Sequence, residues 1–370
     1  MPYRLERVSG RRRLREFVDL PRSLLAHLPT FVPPLTFDLL NRIDARKNPF
    51  FAHADCAFWI LRDGPRAVGR ISATVHRLSL EHHGDKTGFF GHVLLPNADG
   101  AGLLLRAATS FLAEHGLDRM RGPIELSTNY TCGLQVSGFD LCPRIDINQH
   151  PPGYEALLLA HGLEGTMDLI AYRMNRFDVD VTRLERARRV TEKRTMATIR
   201  NIDKRHFWRD VEGLCDVYNA AWSTNWGYSP FSSEEFRHAA KDFKRIVDPR
   251  LCQIAEVDGR YVGFILAVPD VNAGTIACNG RLFPFGFLRF LRGIKKTDGF
   301  RVITLGVVPD MRRTGLDARL ILEHIARSRD SGHNDAELSW VLEDNVPMVK
   351  PLLSLGAFEA MRHRLYERTL

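Results

Sequence analysis

The chain has 370 residues, 44% of them apolar and 26% charged, which excludes a disordered, collagen-like or coiled-coil chain and predicts two domains or three small ones. Its formal net charge of +8 permits a polyanionic partner (nucleic acid, an acidic membrane face or a phosphorylated cofactor) without choosing among them. No apolar run approaches the roughly 18–20 residues that a bilayer-crossing helix needs.

The first twenty residues are studded with Arg and also carry Glu6, Glu16 and Asp19. They have no apolar h-region, so they do not read as a secretory signal, and the chain is expected in the cytoplasm. Apolar and β-branched runs predict strands over 57–61, 67–75 and 89–95, a helix over 103–114, a strand over 119–126, a helix over 154–160 and a strand over 168–174. Residues 182–209 hold ten Lys/Arg against Glu185, Glu192 and Asp203. Leu184, Ala187 and Val190 give that stretch helical spacing, so it reads as a basic linker helix with a solvated face. It lacks the interleaved aromatics that nucleic-acid binding would want. Helices follow over 211–222 and 233–246. Strands over 251–257 and 261–268 flank the hairpin signal Asp258-Gly259. The rest reads as strand 301–308, helix 317–328, strand 337–342, helix 345–355 and strand 358–368.

The halves repeat. Val68-Gly69 and Val262-Gly263, Gly162 and Gly356, and Tyr172 and Tyr366 all share an offset of 194 residues. This divides the chain into a first lobe over 1–178, a basic linker over 179–208 and a second lobe over 209–370. Cys56, Cys132, Cys142, Cys215, Cys252 and Cys278 form no CxxC and no metal-ligand spacing, so they read as idle thiols.

Chemistry concentrates in the second half. Pro309-Asp310-Met311-Arg312-Arg313-Thr314-Gly315-Leu316-Asp317-Ala318 lies between a predicted strand and a predicted helix. A Gly lets the backbone turn tightly, successive N–H groups point inward, and a helix N-terminus favours an anion. Arg312 and Arg313 add positive charge for phosphates. The counterpart in the first half, Pro96 to Gly102, carries no Arg.

This element order resembles the GNAT acyltransferase fold, and the loop looks like that family's pyrophosphate loop, R/Q-x-x-G-x-G/A. Arg312 and Gly315 fit. Asp317 stands where the family has Gly or Ala, and a carboxylate facing a pyrophosphate is repelled unless it caps the helix with its side chain turned away. The resemblance implies an α+β (α/β) chain of two tandem GNAT-like lobes, with mixed, mostly antiparallel sheets flanked by helices. It implies a donor site of Val307, Arg312, Arg313, Thr314, Gly315, Leu316, Asp317, Ala318 and Asn345. Residues 337–345 are similar to the junction whose Asn lies near the pantetheine arm; Asn345 also suits a helix N-cap. The family's usual Tyr acid is missing, because Leu352 and Leu353 occupy its stretch, and strand 301–308 carries no Glu. Glu343 is the nearest carboxylate with Asp344, so Glu343 and Asn345 are the expected catalytic positions, with His324 a weaker base. The first lobe resembles one that has lost cofactor binding.

Two segments speak to the acceptor. In 219–230, between the first two helices of the second lobe, Trp222, Trp226 and Tyr228 suit an apolar chain and Asn219 and Asn225 suit polar atoms; aromatic core packing is the alternative. In 279–296, Phe287, Leu288, Phe290, Leu291 and Ile294 share one helical face, and Arg289, Arg292, Lys295 and Lys296 the other. That is the pattern of an interfacial helix, with Phe283 and Phe287 as lipid contacts; packing on the first lobe is the alternative.

Over residues 45–370 the chain resembles a bacterial family of tandem-GNAT proteins that includes the acyltransferase-type ceramide synthases. The resemblance implies a metal-free, acyl-CoA-dependent N-acyltransferase. It would move a long-chain acyl group from acyl-CoA, or from an acyl carrier protein thioester, to the amine of a sphingoid base. Its partners would be the donor, a lipid amine and an anionic membrane face touched peripherally, with no nucleic acid. Two readings stay open beside it: a soluble N-acetyltransferase acting on a small-molecule or peptide amine, and a non-catalytic acyl-CoA-binding protein.

Overall fold

Asp258 and Gly259 both adopt positive φ, 50° and 78°, as the type I′ hairpin turn predicted for them requires. They join two strands of a mixed α/β chain, for which a computed structural model describes residues 3–175, 177–193 and 196–370. The side chains of Leu184 and Ala187, which carried the linker-helix pattern, lie outside the described residues. The chain divides into two compact units. The first comprises Met1–Leu169, Val271–Lys295 and Met361–Leu370; the second comprises Ile170–Asp270 and Lys296–Ala360.

The first part of the chain forms β1 (Arg4–Arg7), α1 (Gly10–Leu24), α2 (Thr36–Ile43), β2 (Ala54–Asp63), β3 (Arg66–His76), α3 (Arg77–His83), β4 (Thr87–Leu94), α4 (Ala98–Glu114), β5 (Arg119–Gly122), β6 (Leu134–Ser137), α5 (Tyr154–Leu159) and β7 (Glu164–Asn175). Then come α6 (Val181–Glu192), β8 (Thr198–Asn201), α7 (Phe207–Trp222), α8 (Ser233–Ile246), β9 (Cys252–Val257), β10 (Arg260–Pro269), α9 (Asn272–Ala277) and α10 (Gly286–Ile294). The chain closes with β11 (Gly299–Val307), α11 (Leu316–Ser328), β12 (Asp335–Leu342), α12 (Val346–Ser354) and β13 (Phe358–Thr369). The Arg-studded first segment folds as α1, an amphipathic helix whose Phe17, Val18 and Leu20 are buried. The strand predicted over 119–126 stops at Gly122, because Pro123 offers no N–H to continue the ladder.

In the first unit the strand order is β1-β2-β3-β4-β5-β13-β7, and in the second β7-β12-β11-β10-β9-β8. The C-terminal strand thus pairs with β5, Tyr366 opposite Gly122, rather than closing the sheet of its own half. β4 with β5 and β11 with β12 are parallel pairs, and the hairpins are antiparallel. The first unit's core gathers Trp59, Ile71, Phe90, Leu104, Leu105 and Met120. The second unit's core gathers Phe207, Leu214, Ile254, Phe264, Val307 and Leu320. Each core gathers side chains from its own unit's strands and helices.

Candidate functional site

In the second unit β11 ends at buried Val307, and after a short turn the chain reaches α11 through Arg312–Gly315. Arg313 and Gly315 take left-handed φ values of 65° and 84°, which folds the loop back on itself. The backbone N–H groups of Arg313 through Ala318 have no hydrogen-bond acceptor among the described residues, and no side chain caps the helix. Fully buried Leu316 anchors α11, Asp317 is exposed and Ala318 is half-buried. Thr314 Oγ1 donates to the Met311 carbonyl, 2.8 Å away, and braces the loop. A run of orphan donors at the N-terminus of a 13-residue helix is a ready anion site. The two arginines divide their roles. Arg312 Nη2 donates to the Ala221 carbonyl at 2.6 Å, tying the loop to the end of α7. Arg313 is exposed and makes no side-chain contact among the described residues.

The corresponding helix of the first unit is closed. Asn97 caps α4, its Oδ1 accepting from Gly100 N–H at 2.9 Å. Where β4 could part from β5, Ile124 N–H donates to the Phe90 carbonyl at 2.6 Å. A Cβ added at Gly91 would lie 2.2 Å from the Ile124 carbonyl oxygen, so backbone fills that gap.

In the second unit the gap is open. β11 and β12 are in register only from Gly299–Asp335 to Val302–Leu338 and then diverge. Beside them lies an open cavity of about 150 Å³, lined mainly by apolar side chains such as Met174, Ile303, Ile321, Ile325, Met348 and Leu352. Trp222 and Asn345 line it too. Trp222 stacks on Tyr218, ring centroids 4.7 Å apart, and lies on the β11 backbone at Gly306, where an added Cβ would sit 2.2 Å from its ring. Asn345 precedes α12; its carbonyl accepts from Met348 and Val349 N–H while its side chain caps nothing. Among the polar lining atoms, Thr304 Oγ1 and His324 Nε2 are buried without a partner. His324 is buried and its pKa falls to about 4 because burial disfavours the imidazolium, so it is neutral near pH 7.

A buried polar chain holds β12 in place up to the divergence. Arg173 of β7 donates to Glu337 Oε2 through Nε at 3.0 Å and Nη2 at 2.9 Å. Ser339 Oγ donates to Glu337 Oε1 at 3.0 Å, and Arg301 Nε donates to Ser339 Oγ at 2.9 Å. Arg301 and Glu337, charged residues inside apolar strand runs, were the signal for this network. Nothing in the spacing pointed to Arg173 as their partner.

Several expected site residues are placed elsewhere. Glu343 is exposed in the turn after β12 and is not among the cavity-lining residues, because the strand ends one residue earlier and turns that side chain outward. Asn219 does not present its amide to an open site. Its Oδ1 accepts from Tyr228 OH at 2.6 Å and Phe231 N–H at 3.0 Å, and its Nδ2 donates to the Phe231 carbonyl at 2.9 Å. Asn219 and buried Tyr228 therefore brace the loop after α7, and burial raises the Tyr228 pKa to about 12. Asn225 joins the same loop through its backbone, donating to the Trp222 carbonyl and accepting from Tyr228 N–H. Trp226 is half-buried.

Phe283 and Phe287 belong to the first unit, since residues 271–295 pack there. Asn272 Nδ2 donates to the Pro143 carbonyl at 2.7 Å, and Thr36 N–H donates to the Gly280 carbonyl at 3.0 Å. The apolar stripe of α10 is split. Phe290 and Ile294 press on α9 at Gly274, whereas Phe283, Phe285, Phe287, Leu288 and Leu291 are exposed, Phe283 by 80%. Among the described residues no helix is long and apolar enough to cross a membrane, and no group of three His, Cys, Asp or Glu side chains is disposed to hold a metal ion.

No family model matches the chain. It is 30% identical over 368 positions to the bacterial ceramide synthase of Caulobacter vibrioides, covering 96% of this chain and 95% of that protein. It is 31% identical over 364 positions to Protein YghO of Escherichia coli, covering 96% and 93%. Among solved structures, a tandem GNAT protein from the clavulanic acid biosynthesis pathway matches all of this chain and 98% of its own, with a TM-score of 0.58 at 13% identity. A GCN5-related N-acetyltransferase from Sphaerobacter thermophilus covers 99% and 95%, with a TM-score of 0.54. The relative in Caulobacter vibrioides, matched over nearly its whole length, shows the family, and the solved structures share the fold: the chain belongs to the tandem-GNAT acyltransferase family that includes the bacterial ceramide synthase.

Proposed function

We propose that this N-acyltransferase moves a long-chain acyl group from acyl-CoA to the primary amine of a sphingoid base. One observation carries the reading: the orphan N–H groups of Arg313 through Ala318 stand at the start of α11, and the same helix and β11 wall a mainly apolar cavity. The first feature suits a pyrophosphate and the second a long hydrocarbon. The relative in Caulobacter vibrioides supplies the name of the acceptor class.

In this reading Arg313 and the N–H run hold the donor's phosphates, while Arg312 keeps the loop against α7. The open edges of β11 and β12, with Thr304 and Asn345, take the polar groups of the donor's arm, and Trp222 covers the reacting end. Val307 ends the strand that carries them. The amine nitrogen bonds to the thioester carbonyl carbon, the C–S bond breaks, and the proton shed by nitrogen passes to the departing thiolate. Outward-facing Glu343 is not needed as base; holding amine and carbonyl in reach supplies the main acceleration. Donor binding is confined to lobe 209–370, lobe 1–178 being sealed by Asn97 and Ile124. The exposed apolar residues of α10 and its preceding turn, with Arg289, Arg292, Lys295 and Lys296, rest on an anionic membrane face from which a lipid amine is drawn.

The test is free-thiol release by the purified chain supplied with a long-chain acyl-CoA and a long-chain 2-amino-1,3-diol. Thiol and amide should form one for one. Absence of thiol release with every amine offered would overturn the proposal.

A further inference from the structure

The cavity is apolar along most of its length but not at the end away from the divergence of β11 and β12. There His324, Ser328, His333 and Asn334 line it. The Phe300 ring lies 5.7 Å from His324 and 6.4 Å from His333, centroid to centroid. Trp222 marks the other end, at Gly306. Six residues of extended strand separate Phe300 from Gly306, about 20 Å.

The polarity of that far end is fixed by its neighbours. Gln253 is fully buried. Its Nε2 donates to the Arg250 carbonyl at 2.9 Å and to Asn201 Oδ1 at 3.4 Å. Its Oε1 must therefore accept, and it does so from His324 Nδ1 at 2.8 Å. With the proton on Nδ1, His324 Nε2 carries a bare lone pair. That atom is buried without a partner, on a residue only 4% exposed. Asn334 repeats the pattern: its Nδ2 donates to Asp298 Oδ1 at 2.7 Å, which leaves its buried Oδ1 as an unpartnered acceptor. This end of a mainly apolar cavity thus carries two oriented acceptors beside the unpartnered His333 Nδ1, and an unmet buried acceptor costs free energy.

The geometry points to an acyl chain bearing a hydroxyl group in its far half as the preferred cargo of this cavity, the hydroxyl donating to His324 Nε2. The inference rests on the reading of the cavity as the place of the donor's acyl chain. These two acceptors cannot pair with a carboxylate or ketone, since neither offers a proton to donate. They disfavour a plain hydrocarbon, which would leave both lone pairs unmet. The amino-diol head of the acceptor does not fit there, because its amine must lie at the thioester and not beyond the chain.

The test compares one unsubstituted acyl-CoA with hydroxyacyl-CoAs of equal chain length, the hydroxyl moved along the distal half, with one amine held constant. One positional isomer should show kcat/KM about ten-fold or more above the plain chain. His324→Phe should abolish that preference, and His324→Gln, which keeps an acceptor, should retain part of it. Melting curves show whether each variant folds; if neither does, the wild-type comparison alone decides. Equal or poorer turnover of every hydroxylated isomer by the wild type would overturn the inference, as would a preference that survives His324→Phe. Failure of the wild type to release thiol from any acyl-CoA is a different outcome, and it overturns the acyl-transfer reading beneath this one.

Discussion

Arg313→Ala and Arg312→Ala should behave differently, although the two residues are adjacent in the same loop. Arg313 is exposed and makes no side-chain contact among the described residues, so its loss should leave the fold as it is. A charge-assisted hydrogen bond to phosphate is worth on the order of 1.5–3 kcal/mol. Removing it should therefore raise the acyl-CoA Kd roughly 10- to 150-fold, with the larger effect at low salt because the site is open to solvent. Arg312 Nη2 is held by the Ala221 carbonyl at 2.6 Å. Its loss should cost about 1 kcal/mol of stability, a fall in Tm of roughly 2–4 °C, besides any loss of donor affinity through displacement of the loop. Calorimetric titration with acyl-CoA at two salt concentrations, beside a melting curve for each variant, separates the two. Donor affinity unchanged in Arg313→Ala would refute the assignment of the loop.

The first unit should bind no donor, because Asn97 already caps its helix and Ile124 seals the gap beside β4; titration should give one acyl-CoA per chain, and two would contradict this. Replacing the exposed Phe287, Leu288 and Leu291 with Ser should reduce flotation with anionic vesicles while Tm holds. Phe290→Ala should instead lower Tm, since that ring packs at Gly274, and equal losses of Tm would contradict the split. Glu235 is buried, and burial raises its pKa from 4.5 to about 7, so the folded chain holds its proton more tightly than the unfolded chain. Its stabilising contribution is full below about pH 4.5 and is lost as pH rises through 7. Glu235→Gln should therefore gain stability over wild type across that window, reaching roughly 3 kcal/mol; a pH-independent difference in urea unfolding would refute this.

Much of the second unit was legible because its signals are local. The Asp258-Gly259 turn, the Arg312–Gly315 loop and the apolar runs around them depend on neighbouring residues, and they fold as read. The recurring 194-residue spacing exposed the tandem plan, but not the pairing of β13 with β5. Nothing in a sequence period says which sheet a final strand will join. Polar side chains were the harder part. Asn219 reads as a ligand-binding amide until its three hydrogen bonds to Tyr228 and Phe231 in the following loop are seen. The apolar stripe of α10 reads as one face until α9 is seen to cover Phe290 and Ile294. His324 read only as a weaker base and Asn334 gave no signal, because their polar roles depend on Gln253 and Asp298, distant in sequence or used through the backbone as well.

The central claim is that a long-chain acyl group passes to a lipid amine. Mass spectrometry of the products formed by the purified chain from one long-chain acyl-CoA, offered an equimolar mixture of a sphingoid base and small water-soluble amines, tests it most directly. N-acylated sphingoid base should dominate, with one free thiol per amide. Acylation of the small amines alone would contradict it.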